Sequence, residues 1–121
     1  MVIRLKNATV DSIEDTETKR LKVVRVIAKD EGARISLELP EVLSGTIKLR
    51  DEVTVIFDSK PIARGEKAKL YAEGKVFRIR DENGIEVTGT VGGLRMTLDL
   101  SNPTAAQRKT FDQNRFLVAI I

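Results

Sequence analysis

Ala33-Arg34-Ile35-Ser36-Leu37-Glu38-Leu39 alternates strictly, with apolar residues at the odd positions and polar residues at the even ones. A period of two places successive side chains on opposite faces of a strand, so one face of this segment belongs to a core and the other to solvent. The same pattern returns in Ile85-Glu86-Val87-Thr88-Gly89-Thr90-Val91 and in Leu94-Arg95-Met96-Thr97-Leu98-Asp99-Leu100. Val53-Thr54-Val55-Ile56-Phe57 is shorter and stops at Asp58-Ser59. Leu21 to Ala28 is apolar on both faces except for Lys22 and Arg25, which predicts a strand near the centre of a sheet. Further strands are expected from Val2 to Val10 and from Arg115 to Ile121.

The stretch from Lys69 to Arg80 changes phase: Leu70, Ala72 and Val76 share one parity, Phe77 and Ile79 the other. A bulge or bend near Gly74 would produce this, as would a long strand with both faces partly covered. Asp30-Glu31-Gly32 and Asp81-Glu82-Asn83-Gly84 read as hairpin connections, because Gly and Asn tolerate positive φ. Pro40 closes the third strand, and Asp58 to Lys67, with Pro61 and Gly65, is the longest expected loop. Asn102 could cap a short helix with Pro103 at its first position, running to about Thr110. Short strands separated by tight turns predict one domain over residues 1–121: an all-β, OB-like Greek-key barrel of about eight antiparallel strands with one or two helical turns. With five aromatics and no Trp, its core is expected to rest on Leu, Ile and Val. The missing cysteine pair and Trp argue against an immunoglobulin-like sandwich.

Composition narrows the function. The 121 residues are 41% hydrophobic and 32% charged, which excludes a disordered chain. No apolar run approaches the ~20 residues of a membrane span, and Met1 to Lys6 alternates where a secretory signal would be continuously apolar, so a cytoplasmic location is expected. There is no cysteine and no histidine. Disulfides, thiolate metal sites and Ser-His or Cys-His catalysis are thereby excluded within the chain. Catalytic residues, a cofactor, a metal site and a small-molecule substrate are all not expected. A net charge of +3 is compatible with nucleic acid or an acidic protein as partner without demanding either.

Two constellations stand out. Gly92-Gly93-Leu94-Arg95-Met96 lies between two alternating strands. It reads as a two-glycine hairpin, or more sharply as backbone cleared of side chains so that a partner can approach. Lys69, Tyr71, Lys75 and Phe77 share one parity, with Arg78 and Arg80 following. Cations alternating with aromatics are what OB folds use for single-stranded nucleic acid, while a solvated strand interrupted by Glu73 is the plainer reading. Lys19-Arg20-Leu21-Lys22 faces the acidic run from Glu14 to Glu17, as expected of a solvated loop with offsetting charges. Asp11, Glu14, Asp15 and Glu17 fit no calcium-loop spacing. Arg108, Lys109 and Arg115 read as surface charge.

The C-terminal third, from Val91-Gly92-Gly93-Leu94-Arg95-Met96-Thr97-Leu98 to Asn114-Arg115-Phe116-Leu117-Val118, resembles the family of the eighth subunit common to the nuclear RNA polymerases, which has a counterpart in the archaeal DNA-directed RNA polymerase. In that family a Gly-Gly-Leu-Leu-Met motif enters a strand, followed by a polar helical stretch and a last strand. The resemblance implies an eight-stranded, OB-like barrel docked on the largest polymerase subunit away from the catalytic magnesium, a non-catalytic part supporting transcription. It places Gly92, Gly93, Leu94, Arg95 and Met96 at or beneath the subunit interface, and strand addition to an exposed edge could contribute to the contact. Two departures matter: Arg95 stands where the motif has its second leucine, and the loop from Asp58 to Lys67 is shorter than the insertion typical of eukaryotic members. The rival expectation is a free-standing OB-fold protein binding single-stranded RNA or DNA through Lys69, Tyr71, Lys75 and Phe77.

Overall fold

The computed structural model describes residues 2–17, 20–45, 47–62, 68–111 and 114–121. Lys19 and the loop centre at residues 63–67, with Gly65, lie outside the described residues. The alternating segments form β3 (Ala33–Pro40), β6 (Ile85–Val91) and β7 (Leu94–Leu100), and the segment apolar on both faces forms β2 (Leu21–Ala28). The remaining strands are β1 (Val2–Asp15), β4 (Glu52–Asp58), β5 (Leu70–Asp81) and β8 (Arg115–Ile120). Two helical turns, α1 (Glu41–Ser44) and α2 (Ala105–Lys109), sit in the β3–β4 and β7–β8 connections. No helix among the described residues is long and apolar enough to cross a membrane.

All the strand pairings are antiparallel. They close an eight-stranded barrel in the order β1-β2-β3-β7-β6-β5-β8-β4. The expected all-β barrel is what the chain forms. A Greek key occurs twice in this order, as β4-β1-β2-β3 and as β8-β5-β6-β7. The two halves join through β3–β7 and β4–β8, third strand on third and fourth on fourth, giving the barrel an internal two-fold pattern. Closure narrows one expectation: among the described residues each strand has a neighbour on both sides, so the edge left for a partner's strand is confined to short strand ends, such as Glu38–Pro40 of β3 beside Leu94–Arg95 of β7.

The first strand of each half is long because it pairs with its two neighbours along largely different stretches of its length. β1 pairs with β4 through Val2–Thr9 and with β2 through Thr9–Asp15. β5 pairs with β8 through Leu70–Lys75 and with β6 through Gly74–Asp81. Bulges bend both strands as they change partner. In β1 the irregularities fall between Leu5 and Ala8 and between Val10 and Ser12, so the inward positions run Ile3, Leu5, Ala8, Val10. This is why β1 continues past Val10, where its alternation breaks. In β5 the bulge falls at Phe77, between the Val76 and Arg78 pairings, not at Gly74.

Gly74 has a different role. It stays on the inward parity, where a Cβ would lie 2.3 Å from Phe116 Cζ. At Gly89 a Cβ would lie 2.4 Å from the Lys75 carbonyl oxygen and 3.5 Å from the same ring. These two glycines open the space that Phe116 fills. Phe116 packs edge-on to Phe111 with ring centroids 5.4 Å apart, and both pack on Phe57 at 5.9 and 5.8 Å. The centre is thus an aromatic triad surrounded by the expected Leu, Ile and Val, each ring pair adding roughly 0.5–1.5 kcal/mol beyond its burial.

α2 starts later than the Asn102-Pro103 signal implies. Thr104 is its N-cap: the Thr104 hydroxyl accepts from Gln107 N–H at 3.1 Å, and Gln107 Oε1 accepts from Thr104 N–H at 2.9 Å. The segment Thr104-Ala105-Ala106-Gln107 is a capping box, which satisfies two of the free donors at the helix start. The acidic run from Glu14 to Glu17 divides: Glu14 and Asp15 end β1, whereas Thr16 and Glu17 lie in the following turn, as expected of a loop. Asp15 pairs across the hairpin with Lys22, and Glu14 lies 2.9 Å from Arg25 Nη1.

Candidate functional site

Gly92 and Gly93 form a two-residue turn closed by the Val91–Leu94 pair, with φ of +59° and +84°. Positive φ at both central positions is the type I′ pattern, whose twist matches antiparallel strands and which side chains other than Asn, Asp and Gly resist. The ladder between β7 and β3 ends at the Leu37–Met96 pair, so the turn projects beyond β3. There the Arg95 N–H finds no strand partner and donates instead to Glu38 Oε1 at 2.9 Å. A methyl group at either glycine would meet no heavy atom within 4 Å, so the turn stands clear in the free molecule.

Of the five residues singled out in this motif, Gly92, Gly93 and Arg95 are exposed and Leu94 is half-buried. Met96 is sealed in the core. It can brace the hairpin from beneath, but it offers no surface for contact. β3 runs antiparallel to β7, so its C-terminal end and α1 lie at the same end of the barrel as the turn. Val42 of α1 is 87% exposed there, an apolar residue that no periodic pattern in its neighbourhood marks out.

The proposed stripe on β5 divides. Lys69 Nζ lies 3.1 Å from Asp51 Oδ2. The Lys48 N–H and this ammonium hold the Asp51 carboxyl below its ordinary pKa. The Tyr71 hydroxyl accepts from the Ile62 N–H at 2.9 Å. Both residues are thereby engaged in fixing loops. Glu73 is offset by Arg115, with Nε 2.8 Å from Oε1. At the far end Lys75 is exposed, and Phe77 is 81% exposed as the unpaired residue of the bulge.

Strand register adds residues that one-dimensional parity does not associate with this stripe. Lys75, Thr90 and Arg95 form one cross-strand row; Arg78, Thr88 and Thr97 form the next. Thr88 faces outward yet is only 8% exposed, so small hydroxyl-bearing residues floor a trough between flanking cations. A third row, Arg80, Glu86, Asp99 and Arg34, sets two adjacent carboxylates between two arginines, so that each carboxylate has an arginine on its outer side. It crosses an open cleft of about 620 Å³ between the β2–β3 and β5–β6 turns. Burial, reinforced by Glu86, raises the Asp99 carboxyl pKa, while Arg34 opposes the shift. Among the described residues no cluster of three acidic groups is placed to hold a metal ion.

No protein-family model matches the chain, and comparison with curated proteins gives no significant match.

Proposed function

We propose that this protein is a non-catalytic subunit of an archaeal DNA-directed RNA polymerase, a cytoplasmic assembly part that seats on the largest subunit and supports transcription. The observation that carries the reading is the Gly92–Gly93 turn: it projects past β3, stands clear of its own chain, and occurs within the Gly-Gly-Leu-x-Met motif. A closed barrel has no full-length edge to lend, so the contact would be made by this turn, by Leu94 and Arg95, and by Val42 at the same end. Arg95 in place of the motif's second leucine calls for an acidic or polar group opposite it on the partner. The barrel's contribution is rigidity: a loop held by a closed sheet loses little conformational freedom on docking. Synthesis itself would belong to the assembled enzyme.

Tagged protein purified from its source cells is expected to bring down the large polymerase subunits in fixed ratio. Recovery without those subunits, whether alone, with ribosomes or with free nucleic acid, would count against the reading.

A further inference from the structure

We propose that the free end of β5, from Phe77 to Asp81, takes up an extended segment of a partner protein as an added strand, one that alternates acidic and apolar side chains. The site lies at the opposite end of the barrel from the Gly92–Gly93 turn, because β5 pairs with β6 from Gly74↔Val91 to Asp81↔Ile85. It therefore does not rest on the docking role. Closure is uneven along β5. Its pairing with β8 ends at Lys75↔Arg115, and the last backbone link on that side is the Val76 N–H donating to the Asn114 carbonyl oxygen at 2.8 Å. Beyond this point Arg78 to Asp81 pair with β6 alone among the described residues. Alternate residues of a strand aim their N–H and C=O groups at opposite neighbours, so this stretch presents unsatisfied donors and acceptors on the side that β8 has left.

Side-chain exposure follows the same boundary. Phe77, Arg78, Ile79, Arg80 and Asp81 are all exposed, one after another. Ile79 lies across from the fully buried Val87, which places it on the inner face of the sheet, yet it is 39% exposed because no strand follows β5 there. Phe77, at the bulge, is a second uncovered apolar side chain. Arg78 and Arg80 take the opposite parity, on the outer face, and neither makes an ion pair among the described residues. A strand laid along this edge would continue both faces of the sheet. Its inner side chains would meet Ile79 and so be apolar, and its outer ones would meet Arg78 and Arg80 and so be acidic.

The equivalent end of β1 shows how such an edge is closed. β1 leaves its β4 side at Val10, whose N–H donates to the Asp51 carbonyl oxygen at 3.0 Å, and Ser12 to Asp15 pair with β2 alone. There Ile13 is half-buried, and Glu14 and Asp15 are held by Arg25 and Lys22. β5 has unpaired arginines and uncovered apolar side chains instead. A second copy of this chain is disfavoured as occupant, since edge-to-edge pairing would bring Arg78 and Arg80 of the two copies together.

The test uses a labelled, end-capped peptide of about ten alternating Glu and Val residues, the upper length of an ordinary strand, titrated with the full chain and followed by fluorescence anisotropy. Saturable binding is expected, and a peptide with Lys in place of Glu should bind at least about tenfold more weakly. N-methylation of alternate peptide amides removes the donors along one side of its backbone. Methylation of one set should abolish binding and of the other set retain it. With peptide bound, alternate amides from Arg78 to Asp81 should gain protection from hydrogen exchange. Ile79→Lys puts a charge on the inner face of the edge, and Arg78→Glu reverses one on the outer face; each should weaken binding at least about tenfold, the second with Tm unchanged. No binding up to about 1 mM protein overturns the proposal. So does equal binding of the Lys peptide or of both methylated peptides, or binding without protection in β5. A dimer of the parent chain that is lost in Ile79→Lys would assign the edge to a second copy, and protection of the same amides by oligo(U) but not by the peptide would assign it to nucleic acid; either result overturns the proposal.

Discussion

Gly74→Ala tests whether the barrel's centre is built around the Phe116 ring. The new Cβ would lie 2.3 Å from Phe116 Cζ and 2.8 Å from the Thr90 carbonyl oxygen. Carbon atoms pack best at roughly 3.5–4.0 Å, so something must move by about 1 Å or more. Phe116 has no room to retreat: it is fully buried and held between Phe111 and Phe57 at 5.4 and 5.9 Å. Overpacking of this kind costs about 3 kcal/mol, and replacing glycine within a strand returns roughly 0.5–1 kcal/mol. The expected net loss is about 2 kcal/mol, or roughly 8 °C in Tm for a chain of this size. Phe116→Leu removes the ring tip over Gly74 and is itself destabilising. The double variant should then be less unstable than the two single losses summed, by at least about 1 kcal/mol. Urea unfolding of the four proteins closes the cycle. A Gly74→Ala variant within about 0.5 kcal/mol of the parent, or strict additivity, would refute the packing argument.

The turn separates shape from stability. Gly92→Asn keeps positive φ accessible and should leave Tm within a few degrees, whereas Gly93→Val forces a β-branched residue to φ +84° and should cost about 2 kcal/mol by thermal melts. Thr104→Ala removes one arm of the α2 capping box and should cost about 1 kcal/mol in urea unfolding, with the β-sheet circular dichroism unchanged. The raised pKa of Asp99 means its contribution to stability is complete below the unfolded value of 3.8 and is lost as pH rises through the folded value. Asp99→Asn should therefore raise Tm at pH 7, where the parent's carboxylate is ionised, and leave it unchanged near pH 3. A greater Tm gain at pH 3 than at pH 7 would reverse that sign.

Strands are legible in the sequence where their partners lie close along the chain and their pattern is unbroken: alternating in β3, β6 and β7, continuously apolar in β2. β1 reads as ending at Val10 because its bulges reset the parity, and a period-two pattern cannot show that a strand continues through such a break. In β5 the phase change is visible, but glycine chemistry points to Gly74 as the bend. What distinguishes Gly74 is the ring of Phe116 from β8, a contact no local pattern encodes. The paired Greek keys are equally hidden, since closure depends on β4–β8 and β3–β7 contacts between distant segments. Thr104 to Gln107 carries a readable capping signal that the Asn-Pro dipeptide obscures. For the candidate sites, the glycine turn is local chemistry and can be read directly. Engagement of Lys69 and Tyr71, exposure of Phe77 and approach of Arg95 to Lys75 all follow from register, which exists only once the sheet is assembled.

The most direct test of the docking proposal is site-specific photocrosslinking in assembled polymerase, with a photoreactive group introduced at Arg95. A crosslink from Arg95 to the largest subunit is the predicted result, with a second from Val42 at the same end of the barrel. Assembly that proceeds normally while Arg95 crosslinks to nothing, and residues on the opposite barrel end such as Asn83 crosslink instead, would contradict it.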